Sequence, residues 1–330
     1  MKTETYNTRG EWLEARKRGL GGTDIAAILG ASKWSSPWRV WAEKNGHEFE
    51  REEREAMSLG RKLEVFVAQE WADRAERYIR PMSNAAIVHP DHEWARFSPD
   101  ALVAADDYTP DGLCGFKPGA IYEGKISAGY GSDWGPDGSP CVAGNVPEAY
   151  RIQLAWNLAV SGLPRGVLVC LYRGTSIREY WMDRDPELSD RLLSFAGEWW
   201  ERHVVRGEMP EVDASADCST ALTLDAGEPE GETGIDAQLL GALTVYDAAR
   251  DEEAAAAEKK ARAANWIREL MGPAEKATGD GWTVTWKDSA PSERVDLDKL
   301  REDYPDVYND VMYYAQAQRR LTVRRSKVDK

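Results

Sequence analysis

The chain has 330 residues, a formal net charge of −15, 42% hydrophobic residues and 14 tryptophans, which suits one large domain or one and a half around a substantial core. No run approaches the roughly 18 apolar residues of a membrane helix, residues 1–10 are polar with no apolar signal core, and Cys114, Cys141, Cys170 and Cys218 lie far apart without a Cys-x-x-Cys pair. A spanning helix, a zinc ribbon, an iron–sulfur cluster and a disulfide framework are therefore not expected, and a reducing cytoplasm is.

Taken in order, Trp12–Arg18 predicts a short helix, broken by Gly19, Gly21 and Gly22. Thr23 or Asp24 caps a second helix, Ile25–Leu29, that stops at Gly30. A Gly-Gly-Thr turn at a helix start either presents backbone N–H groups to an anion or only permits a tight helix-to-helix turn. Ser36-Pro37 opens a third helix, with Ser as cap and Pro in the first position, running to Gly46. Trp34, Trp38 and Trp41 are expected in packing, with base stacking as the alternative role. Glu50–Arg80 follows one helical period, with Met57, Gly60, Leu63 or Glu64, Val67 and Trp71 on one face. Glu64 thus sits on an apolar face between Gly60 and Ala68, where a carboxylate needs a metal or a buried arginine unless it is half exposed.

Ala86–His89 predicts a short strand, Phe97–Val103 a second and Ile121–Ser127 a third. The turn-rich loop Asp106–Pro118 separates the last two. Gly129–Asn145 is a second irregular excursion, of the kind usually kept for function or motion. Pro147 starts a strong helix that ends at Gly162, with Tyr150 and Gln153 one turn apart on one face. Gly166–Tyr172 and Ile177–Met182 predict a strand hairpin, and Pro186–Gly207 a helix. Residues 209–234 shift to Asp, Glu, Ala, Gly, Ser and Thr with almost no aromatics, as a linker does. An Ala-rich, charge-laced helix follows over Ile235–Met271, then a strand at Trp282–Lys287, short helices at Asp296–Arg301 and Pro305–Ala317, and a closing strand at Leu321–Val323. The expected organisation is a core over 1–212, a linker over 213–234 and a mostly helical region over 235–330.

The chemistry concentrates in two of these strands. Asp100 follows Pro99 in the first, and Glu123 and Lys125 lie at i and i+2 in the second, so both point to one face. Two or three carboxylates with a lysine suit metal-assisted phosphodiester hydrolysis. Mg²⁺ takes one or two carboxylates and fills its remaining positions with water and phosphate oxygen. Asp100 and Glu123 would hold the ion with the Gly124 carbonyl, Glu64 is an additional candidate ligand, and Lys125 would orient the attacking water or stabilise the transition state. The plainer alternative is a hairpin salt bridge between Lys125 and a neighbouring acid. The net charge opposes a polyanionic partner. Basic residues do cluster locally at Arg16-Lys17-Arg18, Arg61-Lys62, and Arg319-Arg320 with Arg324-Arg325-Lys327.

Pro99-Asp100 followed by Glu123-x-Lys125 resembles the signature of the PD-(D/E)xK nucleases, whose restriction-endonuclease-like α/β core has a mixed central sheet flanked by helices. The ordered set narrows the likeness. Trp12-Leu-Glu-Ala-Arg16, Gly21-Gly22-Thr23-Asp24-Ile25-Ala26-Ala27-Ile28-Leu29-Gly30, Pro37-Trp38 with Trp41-Ala42-Glu43-Lys44, Gly60-Arg-Lys-Leu-Glu64, Ser98-Pro99-Asp100, Glu123-Gly-Lys125 and Val146-Pro147-Glu148-Ala-Tyr150-Arg-Ile-Gln153 together resemble the YqaJ-like viral recombinases, which include the lambda-type exonucleases. The resemblance implies an Mg²⁺-dependent 5′→3′ exonuclease on double-stranded DNA ends, with Mn²⁺ able to substitute. It implies a centre of Glu64, Asp100, Glu123 and Lys125 supported by Tyr150 and Gln153, and a grip on the 5′-phosphate by Arg16 and Thr23. It further implies phage-type recombination in a bacterial cytoplasm, a single-strand annealing partner and a trimeric ring. Ala101 departs from the glycine usual after Pro-Asp, and the Gly129–Asn145 excursion and the helical arm are additions. An endonuclease or single-strand nuclease of the same superfamily, a non-catalytic DNA-end binder and a partner-docking protein are the alternatives.

Overall fold

The computed structural model describes residues 1–47, 55–108, 115–129, 134–227, 231–293, 295–313 and 321–324. They fall into two compact units, Met1–Gly227 and Glu228–Lys330.

The first unit runs β1 (Lys2–Thr5), α1 (Arg9–Lys17), α2 (Gly22–Ile28), α3 (Pro37–Lys44), α4 (Glu55–Arg74), β2 (Ile79–Pro81), β3 (Ala85–Val88), β4 (Arg96–Phe97), β5 (Ala101–Ala104), β6 (Pro118–Ser127), α5 (Glu148–Ser161), β7 (Arg165–Tyr172), β8 (Ser176–Asp183), α6 (Pro186–Trp200) and α7 (Ala216–Asp225). A π-helical turn at Glu201–Val205 extends α6. The helix starts follow local chemistry. Thr8 Oγ1 accepts from the Glu11 N–H, Ser36 Oγ from the Arg39 N–H ahead of Pro37, and Asp185 Oδ1 from the Leu188 N–H ahead of Pro186. Gly162, at φ 70°, closes α5 in the left-handed conformation that glycine adopts without strain.

The central sheet has the order β2-β5-β6-β7-β8. It is mixed, because β6 and β7 are parallel while the other neighbours are antiparallel. A parallel pair needs a crossover, and α5 provides it. Side chains alternate across the sheet. Ile121 and Leu168 turn to the cluster containing Leu154, Trp156 and Leu158 of α5, whereas Tyr122, Val167 and Val169 turn to Val67 and Trp71 of α4. Each fully buried aliphatic side chain here contributes about 1.5–3 kcal/mol. A smaller sheet, β1-β3-β4, completes the unit.

Several expectations are corrected in detail. The strand expected over 97–103 is two strands, β4 in the small sheet and β5 in the large one. Pro99 has no N–H to give a ladder, so the chain changes sheets there and Asp100 sits at the junction. The helix expected to reach Arg80 ends at Arg74, and its proposed start at residues 50–54 lies outside the described residues. The second helix begins at Gly22 with Gly21 as its cap, and Asp24 accepts from the Gly21 N–H at 2.9 Å rather than serving as the cap itself. Within the stretch expected as a linker, α7 is helical and buries Cys218 and Ala221 in the same cluster as Trp38. Trp38 and Trp41 are core, but Trp34 is 70% exposed.

The second unit holds α8 (Ala237–Met271), a hairpin of β9 (Lys276–Gly279) and β10 (Trp282–Thr285), α9 (Leu297–Asp303) and α10 (Pro305–Val311). Asp280 and Gly281 have φ of 47° and 78°, as a two-residue turn with the twist of the strands requires. Residues 321–324 form no strand, and the proposed helical residues 314–317 lie outside the described residues. Among the described residues no helix is long and apolar enough to cross a membrane.

Candidate active site

Glu123 lies on β6, facing α5, and is 3% exposed. Lys125 Nζ is 2.8 Å from its Oε1, Gln153 Nε2 donates to the same oxygen, and Asn157 Nδ2 donates to Oε2 at 3.2 Å. Gln153 and Asn157 are one turn apart on α5, so the helix presents two amide donors to one carboxylate. Asp100, at the junction of the sheets, accepts from the Gly124 N–H through Oδ2 at 2.8 Å. That bond ties the Pro-Asp turn to the middle of the Glu-x-Lys strand. The Lys125 ammonium lies 5.2 Å from the centroid of the Tyr150 ring.

The electrostatics are those of a crowded acidic pocket. Burial pushes the Glu123 carboxyl up, to about 7, against the pull of Lys125, and the charges of Asp100 and Glu64 add to the rise. Burial acts to lower the Lys125 pKa, but Glu123 and Asp100 outweigh it and the lysine is held protonated.

One cavity of about 270 Å³ gathers these groups with the N-terminal helices. Asp100, Glu123, Lys125 and Gln153 line it together with Arg16 and Thr23. Arg16 Nη2 is 3.4 Å from Thr23 Oγ1 and its guanidinium lies over the Trp12 ring at 5.1 Å. Gly22 is required by close approach, because a Cβ there would lie 2.8 Å from Gln153 Cγ and 2.9 Å from the Gln153 carbonyl. The Gly-Gly turn therefore serves helix packing directly, and that packing sets the Arg16–Thr23 corner beside Gln153. Glu64 is half-buried on α4, on the other face of the sheet, and lines a neighbouring cavity that also includes Asp100. Tyr150 opens onto a third cavity.

Among the described residues no group of three or more His, Cys, Asp or Glu side chains is gathered to hold a metal ion by itself. The carboxylates of Asp100 and Glu123, which line one cavity together, are hard oxygen donors of the kind that suit a small divalent cation keeping several of its waters. The Tyr122 hydroxyl agrees with this. It is fully buried, has no hydrogen-bond partner among the described residues, and lies with Asp100 Oδ2 about the Cα of Gly124, where a Cβ would meet them at 3.4 and 3.5 Å. Burial and the charges of Asp100, Glu123 and Glu64 keep it protonated, so it offers a donor to an incoming oxygen ligand.

Asn157 was missed by the sequence reasoning, and so was the pairing of Asp24 with Lys44 at 2.8 Å. Asn157 was detectable as the residue four beyond Gln153. Lys44 stood only as the last residue of a motif, and its burial was not expected because a lysine at the end of an amphipathic helix is ordinarily solvated.

A mixed sheet flanked by helices, with Pro99-Asp100 and Glu123-x-Lys125 converging at neighbouring strands, is a PD-(D/E)xK core. Over residues 11–164 the chain is similar to the family model of the YqaJ-like viral recombinase domain. It is 26% identical over 310 residues to the uncharacterized protein YqaJ of Bacillus subtilis (strain 168), covering 92% of this chain and 91% of that protein. Among solved structures it is similar to the alkaline exonuclease LHK-Exo of Laribacter hongkongensis, at 16% identity and a TM-score of 0.44, covering 60% of this chain and 93% of that one. It is also similar to a phage-related exonuclease of Haemophilus somnus 129PT, at 13% identity and a TM-score of 0.39, covering 58% and 96%.

Proposed function

We propose that this chain is a divalent-metal-dependent deoxyribonuclease that resects linear double-stranded DNA from its 5′ ends, releasing 5′-mononucleotides and leaving 3′ single-stranded overhangs for an annealing protein in phage-type recombination. The observation that supports it is the single cavity that joins Asp100, Glu123 and Lys125 to Arg16 and Thr23. A scissile phosphate at the first group and a terminal 5′-phosphate at the second place the cut close to the strand end.

Asp100, Glu123 and the Gly124 carbonyl would hold Mg²⁺, or Mn²⁺ in its place. When bound, the ion lowers the pKa of a water and neutralises charge on the scissile phosphate. Lys125, held protonated, donates to the attacking water or to the phosphate oxygens as negative charge builds on them. Gln153 and Asn157 fix the Glu123 carboxylate, and the Tyr150 ring limits where the Lys125 ammonium can go. Glu64 adds a further negative charge to the site from beyond Asp100. Arg16 and Thr23 receive the 5′-phosphate. A ring of copies around the duplex is the assembly suggested by resemblance.

The test is digestion of 5′-labelled linear duplex with Mg²⁺, with 5′-phosphate and 5′-hydroxyl ends compared and a closed circle alongside. Labelled mononucleotides, released more slowly from hydroxyl ends, are expected. Cutting of the circle would mean an endonuclease, and no digestion with any divalent metal would remove the catalytic claim.

Metal binding should depend on pH through Glu123. Its carboxyl titrates at about 7 before metal arrives, so binding must displace a proton below that pH and none well above it. Mn²⁺ affinity, measured by calorimetry, is expected to rise up to about tenfold per pH unit from pH 6 to 7 and to level off by about pH 8. Equal affinity at pH 6 and 8 would contradict this assignment.

A further inference from the structure

The catalytic lysine is the first member of a row that leads away from the metal site. Lys125 lies against Tyr150. Tyr150 in turn stacks with Trp34 at 6.4 Å and 21° between planes, and with Trp134 at 5.8 Å and 30°. Tyr150 is thus the middle ring of three. Trp34, in the loop between α2 and α3, is 70% exposed, and the three rings line a cavity of about 670 Å³ with Lys33, Ser127 and Gly129.

Trp134 and Tyr150 are half-buried against the core, but core packing does not account for Trp34. A tryptophan wanted for packing hides its rings, as Trp38 and Trp41 do at 1% and 3% exposure. The walls are firm. Arg178 donates to the Trp134 and Gly135 carbonyls at 3.3 and 2.9 Å, and the Tyr180 hydroxyl donates to Gly135 at 2.7 Å. Charge also sets the cleft apart in a chain of net charge −15. Lys33, on its rim, makes no ion pair among the described residues. Its one acidic lining residue among the described residues, Glu148, is already held by Arg151, whose Nε is 2.8 Å away.

An exposed ring, near-parallel to two half-buried ones and sharing a cavity with a cation, matches one chemistry well. Unpaired nucleobases present π faces to stack, and their phosphates seek lysine, whereas the faces of paired bases are covered by their neighbours in the duplex. We propose that this cleft is a single-stranded DNA site in which unpaired bases stack on Trp34 and Trp134, with Lys33 at the backbone. That these are bases next to the scissile phosphate rests on the nuclease reading, through the contact of Tyr150 with Lys125.

The experiment uses the full chain in the absence of divalent metal, so that nothing is cut. Fluorescence anisotropy would follow a fluorescein-labelled oligothymidylate, the same strand with abasic residues, and a blunt duplex. The wild-type chain is expected to prefer the thymidylate to the abasic strand by about tenfold, the yield of one or two stacked bases. Trp34→Ala should remove most of that preference, Trp34→Phe should keep most of it, and blunt-duplex affinity should change less than about twofold. Because Trp34 is exposed, its replacement should leave the melting temperature unchanged, and Trp134→Ala provides a second wall to test.

Equal wild-type affinity for the abasic and thymidylate strands would overturn the proposal. So would a preference that survives both Trp34→Ala and Trp134→Ala. A wild-type chain that shows the preference, loses it in these variants, and yet never cuts duplex DNA with Mg²⁺ would sink the nuclease reading and leave the strand site standing.

Discussion

Lys125→Ala is expected to lower turnover on linear duplex DNA by at least about a hundredfold, the usual loss when one preorganised donor to a developing anion is removed. Its ammonium is mostly buried, 2.8 Å from Glu123 Oε1, and reaches the common cavity. Water cannot replace a donor held in such a place without reorganising. The substitution has a second consequence. Lys125 is the main force opposing the rise of the Glu123 pKa, so its loss pushes that carboxyl further up and weakens metal binding near neutral pH. The two effects separate by condition. At saturating Mn²⁺ and about pH 8.5 the metal deficit should shrink while the turnover deficit stays. Single-turnover cleavage of a 5′-labelled duplex is the measurement, and a rate within about tenfold of wild type under those conditions would exclude Lys125 from the chemistry. Gln153→Ala should behave differently. It removes one of the two amides that orient Glu123, leaves Asn157 in place, and should therefore act more through metal affinity than through turnover.

The contrast between Lys125 and Lys44 illustrates what could be seen in advance. Glu123 and Lys125 were legible because a strand has period two, so residues i and i+2 must share a face. Asp100 was legible as chemistry but not as geometry, because the switch of sheets at Pro99 depends on which strands accept β4 and β5. Glu64 was placed on the apolar face of its helix, yet the period of a helix does not say which side of the sheet that face will cover. α4 covers the side opposite α5, so Glu64 meets Asp100 from another cavity. The helix α7 escaped notice since its Ala, Ser, Thr and Asp composition lacks an apolar stripe, and only contact with the core beside α3 gives it a buried side. The strand β9 could have been found, because Asp280-Gly281 ahead of an alternating segment is a strong hairpin signal. Lys44 was marked only as the end of Trp41-Ala42-Glu43-Lys44, and nothing in that run points to Asp24 as its partner.

Lys44→Met is expected to destabilise the first unit by about 3–5 kcal/mol, the cost of leaving a buried charge without its partner. The Lys44 side chain is 4% exposed at the end of α3. Its Nζ lies 2.8 Å from Asp24 Oδ2 and 2.8 Å from the Arg16 carbonyl, so one ammonium ties three helices together. Burial acts to raise the Asp24 pKa, but Lys44, Arg16 and the Gly21 N–H together hold it below the ordinary carboxylate range. In the wild type, stability from this carboxylate is therefore full above its unfolded pKa of about 3.9 and is lost as pH falls through the lower folded value. Without Lys44, burial dominates and the sign reverses. The folded carboxyl then holds its proton more tightly than the unfolded one, so the deficit of the variant should grow from pH 4 to pH 7. Urea melts at those two pH values would show it. Adding Asp24→Asn should recover much of the loss, since removing both charges of a buried pair costs far less than removing one. A deficit under about 1 kcal/mol, the level of an exposed ion pair, or one that widens toward pH 4, would mean that the pair does not hold the helices. The same bond should carry a functional signature. Lys44 fixes the end of α1 that bears Arg16 against the start of α2 that bears Thr23, so the folded fraction of the variant should lose its preference for 5′-phosphate ends before it loses cleavage itself.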